Sequence, residues 1–352
     1  MRGIFFRYWI EGLRNLDIDI DVITPSWNQN NSYNKLGDYG ENVWRFKYNK
    51  KLGGMKFFNF IDIFNFCKLI FIWRKTIGKV HYKKDWDLVI SAWGIPAGLL
   101  LNHKSLRKTH KVIWWLGSDF YKFRNGALSY LIKYVSNQAN SNWTNSNQMQ
   151  MGLQKLTNLP IKFVPNQSIQ FLDVKERKLS KCPNIISIGR LEKVKNFELA
   201  IKAIKQVIKE GFNLNYEIIG SGPQEEFLRS LSLKENNINL LGFRNKEYIN
   251  KKLNNTDIVL ITSNSEGNPN IFFEALAAGA VIVSTNVGDI KAETQFTKLA
   301  LVSPPHDLNK LVENIKKALN GSLIFNNEDT RKIFNKYSSN VSIDLVKELL
   351  SI

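Results

Sequence analysis

Short apolar, β-branched runs recur along the second half of the chain, at 184–191, 215–220, 238–243, 257–263, 281–286 and 299–304. Between them the apolar positions shift to a helical period. The clearest case is 196–210, where Ala200, Ala203, Ile204, Val207 and Ile208 fall on one face and Gly211 ends the helix. Strands alternating with helices predict a parallel sheet. The first half repeats the pattern with runs at 18–25, 43–48, 87–93, 111–117, 141–145 and 161–165, preceded by a helix over Ile4 to Leu13. A doubly wound domain has a central first strand, and Met1-Arg2-Gly3 leaves no room for one. We therefore expect the true product to begin roughly ten to fifteen residues upstream, enough for a strand and its loop.

A chain of 352 residues exceeds one hydrophobic core and suits two domains. The charged, aperiodic stretch Ile169 to Pro183, with Lys175-Glu176-Arg177-Lys178, reads as the crossover, so one domain is expected over 1–170 and another over 178–334. A hydrophobic share of 43% and a charged share of 23% are globular values and exclude a disordered chain. Cys67 and Cys182 are too few and too far apart for a disulfide framework or a zinc site, and fit a reducing, cytoplasmic setting.

The net charge of +18 is uneven: residues 1–176 hold 25 Lys and Arg against 12 Asp and Glu, the remainder 24 against 19. Within 51–84, basic residues interleave with Phe57, Phe58, Phe60, Phe64, Phe66, Phe71 and Trp73, while Asp62 is the single acid. A basic, aromatic helix predicts a peripheral site for an anionic membrane surface; a core helix with a solvated basic face is the plain alternative. Asn59, Asp62, Asn65 and Lys68 interrupt the apolar stretch and argue against a membrane span.

The candidate chemistry lies in Ser265-Glu266-Gly267-Asn268-Pro269-Asn270-Ile271-Phe272-Phe273-Glu274, directly after the 257–263 strand. Pro269 suits a first helical position with Asn268 as N-cap. The N–H groups of 268–271 and the helix dipole then favour phosphate or sugar hydroxyls. Glu274, inside the helix, leans back toward the strand ends and suits paired ribose hydroxyls. Upstream, Gly189-Arg190-Leu191 and Lys195 follow another strand and set two cations at the ligand-binding edge of the sheet. Each of these charges, alone, is equally a solvated surface residue. Asp17, Asp19 and Asp21 alternate with Ile18, Ile20 and Val22, which reads as one polar face of a strand rather than a metal site. The histidines show no ligand spacing. Gly220-Ser221-Gly222 lacks a full phosphate-loop fingerprint and reads as a tight turn.

Gly189-Arg190-Leu191 with Lys195, Ile219-Gly220-Ser221-Gly222, Leu241-Gly242-Phe243, Ser263 with Glu266, Glu274-Ala275, Gly279 and Asn286-Val287-Gly288 resemble, in order, the motifs of the family 4 retaining glycosyltransferases. Asp87 to Trp93, Trp114 to Asp119 and Val164-Pro165-Asn166 extend the likeness over most of the chain. The resemblance implies the α/β GT-B class: two Rossmann-like, doubly wound domains facing a cleft, with residues 335–352 packing back on the first. It implies Gly3 as the end of a glycine loop and, with Asp119, as acceptor-side. Gly189, Gly267, Asn268, Pro269, Asn270, Ile271, Glu274 and Phe243 are the implied donor-binding residues, and Arg190, Lys195 and Glu266 the catalytic ones. Leu116 replaces a histidine frequent in relatives, and Gln167, Asp289 and Ala292 are further departures.

The implied reaction is metal-free, cofactor-free transfer of a hexosyl group, with retention, from a UDP- or GDP-sugar to a polyprenyl-linked or glycolipid acceptor in bacterial surface polysaccharide assembly. The expected place is the inner face of the cell membrane. Two alternatives are a nucleotide-sugar 2-epimerase of related fold and a non-enzymatic nucleic-acid-binding protein. The first would need further acid–base groups; the second would leave the paired cations and carboxylates without purpose, so no nucleic-acid partner is expected.

Overall fold

A computed structural model describes residues 4–26, 34–36, 41–48, 60–82, 85–165, 172–174, 179–233, 235–338 and 340–351. Gly3, Asn166, Gln167 and the 51–59 part of the basic segment lie outside the described residues. The chain divides into two compact units, Met1–Asn145 with Gln150–Ser168 and Ser339–Ile352, and Ser146–Met149 with Ile169–Ser338. The return to the first unit thus comes at 339 rather than 335. The short segment 146–149, part of the first half in sequence terms, goes with the second unit.

The first unit holds β1 (Asp21–Ser26), β2 (Asn34–Leu36), β3 (Asn42–Lys47), β4 (Leu88–Ala92), β5 (His110–Trp115), β6 (Ser141–Thr144) and β7 (Ile161–Phe163). They form two sheets, β1-β3-β2 and β4-β5-β6-β7. All pairs are parallel except β2 with β3. Among the described residues no strand joins β1 to β4, the place where a central first strand is expected. Side chains connect the two sheets instead. Asp21 accepts from Trp44 Nε1 on β3 at 3.1 Å and from Trp86 Nε1, just ahead of β4, at 2.8 Å. The three alternating aspartates are therefore not one face of a strand: Asp17 ends the turn after the first helix with φ 57, Asp19 faces Arg14, and only Asp21 lies in β1.

Apolar aromatic side chains build the core of this unit. Trp9, Ile10 and Leu13 of the helix Ile4–Arg14 pack on Trp114 and Trp143 of β5 and β6. The Trp9 and Trp114 rings meet at 5.4 Å, and Trp114 and Trp143 at 5.8 Å, both edge to face as the ring quadrupoles prefer. The last helix, Asn340–Leu350, adds Val346 to this cluster, and a Cβ on Gly12 would stand 2.5 Å from Ile343 Cδ1. Glycine lets the two helices touch.

The second unit is a single parallel sheet of β8 (Asn184–Ile188), β9 (Asn215–Ile219), β10 (Ile238–Gly242), β11 (Ile258–Ile261), β12 (Val281–Thr285) and β13 (Ala300–Ser303), in the order β10-β9-β8-β11-β12-β13. From β8 the chain winds outward through β9 and β10, then returns to the other side of β8 as β11. The strand order therefore reverses between β8 and β11, where a doubly wound sheet opens its ligand crevice. The helix Phe197–Lys209 buries Ala200, Ala203, Ile204 and Val207 with Ile201; Ile208 is only half-buried.

Asp21→Ala strands two indole donors and is expected to lower stability by about 2 kcal/mol. A lower urea midpoint at unchanged slope checks it. Trp86→Phe, which removes one donor and leaves the acceptor engaged by Trp44, should cost less.

Candidate functional site

Two loops meet at the switch point. After β8 the chain runs through Gly189 to a 3-10 turn, Lys193–Lys195, and Asn196 takes the left-handed conformation at φ 49 while its side chain caps the next helix through Leu199 N. The loop after β11 is stitched to it: Asn264 N donates to Val194 O at 2.8 Å, Thr262 Oγ1 to Lys195 O at 3.1 Å, and Asn196 Nδ2 to Asn264 Oδ1 at 2.9 Å. This stitching fixes the backbone of Lys195 beside that of Glu266. Their side chains form an ion pair, and Ser263 Oγ donates to the same Glu266 Oε1 at 2.9 Å. With 22% and 18% side-chain exposure, the pair is shielded from water yet open to a ligand.

A pocket of about 280 Å³ opens there, lined by Ile188, Lys195, Glu266, Asn268, Pro269, Asn270, Ile271 and Glu274. The helix of this loop spans Asn270–Ala277, with Pro269 as N-cap at φ −72, ψ 120 and no side-chain cap. This corrects the expected start by one residue: the proline ring sets φ but its ψ stays extended, so Pro269 precedes the helix and Asn268 cannot cap it. Asn268 keeps a buried Nδ2 with no hydrogen-bond partner among the described residues. A buried, unused donor at an uncapped helix start is a ready partner for an oxygen-rich ligand.

Glycines allow the close approach. Gly288, at φ 55, follows β12, and a Cβ there would lie 2.7 Å from Gly267 O and 3.1 Å from Pro269 Cδ. Gly220 and Gly222 serve the other wall: Cβ atoms on them would collide with Gly189 O at 1.8 Å and Leu191 O at 2.6 Å. Leu191 N also donates to Ser221 O. The Gly220-Ser221-Gly222 turn thus packs backbone on backbone behind Gly189.

The remaining sequence candidates are placed as follows. Glu274 lines the pocket and is ion-paired with Lys246. Nothing in the sequence reading pointed to Lys246; it opens the helix Lys246–Leu253 after β10, capped by Asn245, and only the tertiary contact brings it to Glu274. Arg190 does not line the pocket: its side chain is 60% exposed and pairs with Glu192. Phe243, after β10, is exposed. Asp289, a departure from the motif pattern, is buried and accepts from Asn147 N at 2.7 Å, Gln148 N at 3.0 Å and Tyr337 Oη at 2.7 Å. Burial and the Asp289 charge push the Tyr337 hydroxyl well above its ordinary pKa.

In the first unit, Asp119 is wholly buried, with its carboxylate taken by backbone donors: Gly94 N at 2.7 Å, Leu116 N at 3.1 Å and Gly117 N at 2.8 Å. Burial raises its pKa from 3.8 to about 6 against the opposing pull of these bonds. It ties the loop after β5 to the loop after β4, where Trp93 stands at φ 72 with 39% of its surface exposed. Leu116, in the position of the motif histidine, is half-buried. Among the described residues no three His, Cys, Asp or Glu side chains gather where they could hold a metal ion.

Fold and pocket together define an α/β protein of the GT-B class, with a polar pocket at the switch point of its second sheet. Residues 168–341, the second unit almost end to end, match the family described as glycosyl transferases group 1. The chain is 30% identical over 140 residues to the putative colanic acid biosynthesis glycosyltransferase WcaL of Escherichia coli K12, covering 37% of this chain and 34% of WcaL. It therefore spans about a third of that relative's length. Protein CapJ of Staphylococcus aureus is 26% identical over 313 residues, 82% of this chain and 76% of CapJ. Trehalose-6-phosphate synthase, solved in work on glycosyl transfer with retention, superposes with a TM-score of 0.76 at 12% identity over 100% of this chain and 98% of that one, which shows the fold.

Gly288→Ala is expected to displace the 267–269 loop and to lower stability by about 1–3 kcal/mol with the fold retained, since it combines a strained φ with a close contact; a lower urea midpoint at unchanged slope checks it. The Asp119 shift predicts a pH effect of definite sign. The native carboxyl holds its proton more tightly than the unfolded one, so its contribution to stability is full below pH 3.8 and is lost as pH rises to about 6. Thermal midpoints across that window should fall more for the parent than for Asp119→Asn.

Proposed function

We propose that this protein is a retaining hexosyltransferase that moves a sugar from a nucleotide-sugar donor to a lipid-linked or glycan acceptor in bacterial surface polysaccharide assembly, without a metal ion. The observation that carries this reading is the convergence in one pocket of Lys195, Glu266, Glu274, the unpartnered Asn268 Nδ2 and an uncapped helix start. These groups complement the parts of a nucleotide-sugar. Helix N–H groups and Lys195 suit a diphosphate, Glu266 and Asn268 suit sugar hydroxyls, and Glu274 suits the two hydroxyls of a ribose. The family match over the second unit supports the transferase class, and the description of WcaL as a putative colanic acid biosynthesis glycosyltransferase supports the polysaccharide setting.

In the free protein each carboxylate is neutralised by a lysine, Glu266 by Lys195 and Glu274 by Lys246. A donor replaces both contacts. Its hydroxyls take the carboxylates while its phosphates take the released ammonium groups, so every charged group keeps a hydrogen-bond partner. Negative charge then grows on the departing diphosphate, and Lys195 and the helix dipole stabilise it in the role a divalent cation would otherwise fill. Arg190, on the exposed rim, reaches the outer phosphate oxygens by exchanging Glu192 for the ligand. The acceptor oxygen bonds to the anomeric carbon on the face from which the phosphate oxygen leaves. Its proton passes to that phosphate oxygen, so the products are the glycoside and a nucleoside diphosphate, with configuration retained and no protein nucleophile required.

Lys195→Ala is expected to lower kcat about 10²–10³-fold, the usual effect of removing one stabilising donor. Glu274→Gln should raise the KM for the donor with kcat near the parent value, whereas Glu266→Gln should lower kcat. Steady-state kinetics with a panel of UDP- and GDP-sugars reads all three. If both glutamine variants change only the affinity for free nucleoside diphosphate, the two carboxylates do not divide the work in this way.

A further inference from the structure

The helix Phe60–His81 buries Leu69, Ile77 and Val80 and leaves its opposite side in solvent. On that side, at helical spacing, stand Ile61 at 59% exposure, Phe64 at 63% and Phe71 at 69%, followed by Tyr82 at 92% just past the helix end. Cys67, Lys68, Lys75 and Lys79 are exposed along the same side. Lys68, Lys75 and Lys79 form no ion pair among the described residues. Two other side chains of this helix are held elsewhere: Arg74 donates to Asn102 Oδ1, and His81 stands 3.5 Å from Asp85.

Large apolar side chains on a soluble helix face inward, and a contiguous exposed stripe of them marks an interaction surface. The stripe runs the length of a helix of about 33 Å, with bulky apolar groups concentrated toward its start and Lys75 and Lys79 toward its end. Its occupant must therefore be both apolar and anionic over an extended line. A second copy of the chain would bring like charge against like. A nucleic acid would satisfy the lysines and leave Ile61 and Phe64 against a charged backbone. A bilayer with anionic headgroups supplies an acyl layer for the phenylalanines and phosphates for the lysines at the depths such a helix presents them. No described helix is long and apolar enough to cross a membrane, so contact would be at the interface.

We propose that this face docks the first unit on an anionic lipid bilayer, Phe64 and Phe71 entering the acyl boundary and Lys68, Lys75 and Lys79 meeting lipid phosphates. The inference deepens the proposed function, since a lipid-linked acceptor lies in the same interface, and it rests on that reading only for this link. Docking is measured without any transfer reaction, so it can fail while the transferase reading stands, and the reverse.

The test uses the full chain with Cys182→Ser, labelled at the exposed Cys67 with an environment-sensitive fluorophore. Phosphatidylcholine vesicles with and without about 30% phosphatidylglycerol are the probes. We expect sedimentation and a blue-shifted emission with the anionic vesicles only, both reduced by salt. Lys68→Gln, Lys75→Gln and Lys79→Gln together should weaken binding roughly a hundredfold, at about fivefold per lysine. Phe64→Ser with Phe71→Ser should abolish the blue shift, with unchanged thermal midpoints showing that the variants fold. Absence of binding, equal binding to the neutral vesicles, variants that bind like the parent, or release from anionic vesicles by a stoichiometric oligonucleotide would each overturn the proposal.

Discussion

The Lys195–Glu266 ion pair is the contact on which the site depends. It joins the loops leaving β8 and β11, the two strands between which the sheet reverses its order. A half-buried pair of this kind adds little net stability, because desolvation offsets most of the Coulomb attraction. Its importance is positional. A backbone bond from Asn264 N to Val194 O and a side-chain bond from Thr262 Oγ1 to Lys195 O hold the two loops together, so the ammonium and carboxylate are set without a large entropic cost. Ser263 Oγ, itself buried, orients the carboxylate from the other side. The same arrangement recurs at Glu274 and Lys246, so both carboxylates lining the pocket are held by a lysine brought from another loop or helix.

Much of this was legible in the sequence. Strands buried on both faces read as unbroken apolar runs, and all six strands of the second sheet lie inside the stretches expected from that signal. The helix 197–209 showed itself through Ala200, Ala203, Ile204 and Val207. Among the residues lining the pocket, Lys195, Glu266 and Glu274 stood out in the sequence because each follows a strand end within one loop or one helical turn or two. Local order along the chain was enough there.

What stayed hidden depends on contacts between distant segments. Lys246 reaches Glu274 only because the helices after β10 and β11 lie side by side, and nothing near Lys246 in sequence marks it. Asp289 looked like a mere departure from a motif, yet it fastens the start of the 147–154 helix and Tyr337. Asp119 looked like a group free to meet a ligand, and its oxygens are taken by three backbone donors. In each case the missing information is which backbone N–H or side chain lies opposite, and spacing cannot supply it. The one-residue shift of the 270–277 helix has a local cause: proline fixes φ alone, so its presence does not decide whether ψ is helical.

Charge is handled differently in the two units, and this explains why the excess of the first half matters. In the second unit the lysines are largely matched: Lys202 with Glu198, Lys252 with Glu217, Lys310 and Lys317 with Glu313, Lys316 with Glu210. Two lysines on Glu313 draw its pKa down to about 2, which shows how fully that carboxylate is committed. Such surface pairs contribute little to stability, but they cancel the field a few ångströms away. Among the described residues the lysines on the 60–81 helix have no such partners, and the nearest acids in sequence, Asp62 and Asp85, stand at opposite ends of the helix. Their field therefore extends about a Debye length, ~10 Å, into solvent. Placed beside exposed phenylalanines rather than over a solvated polar face, those charges act on whatever the apolar stripe approaches. An uncancelled field and an uncovered apolar surface on the same helix face are two independent departures from an ordinary soluble helix, and an anionic bilayer resolves both.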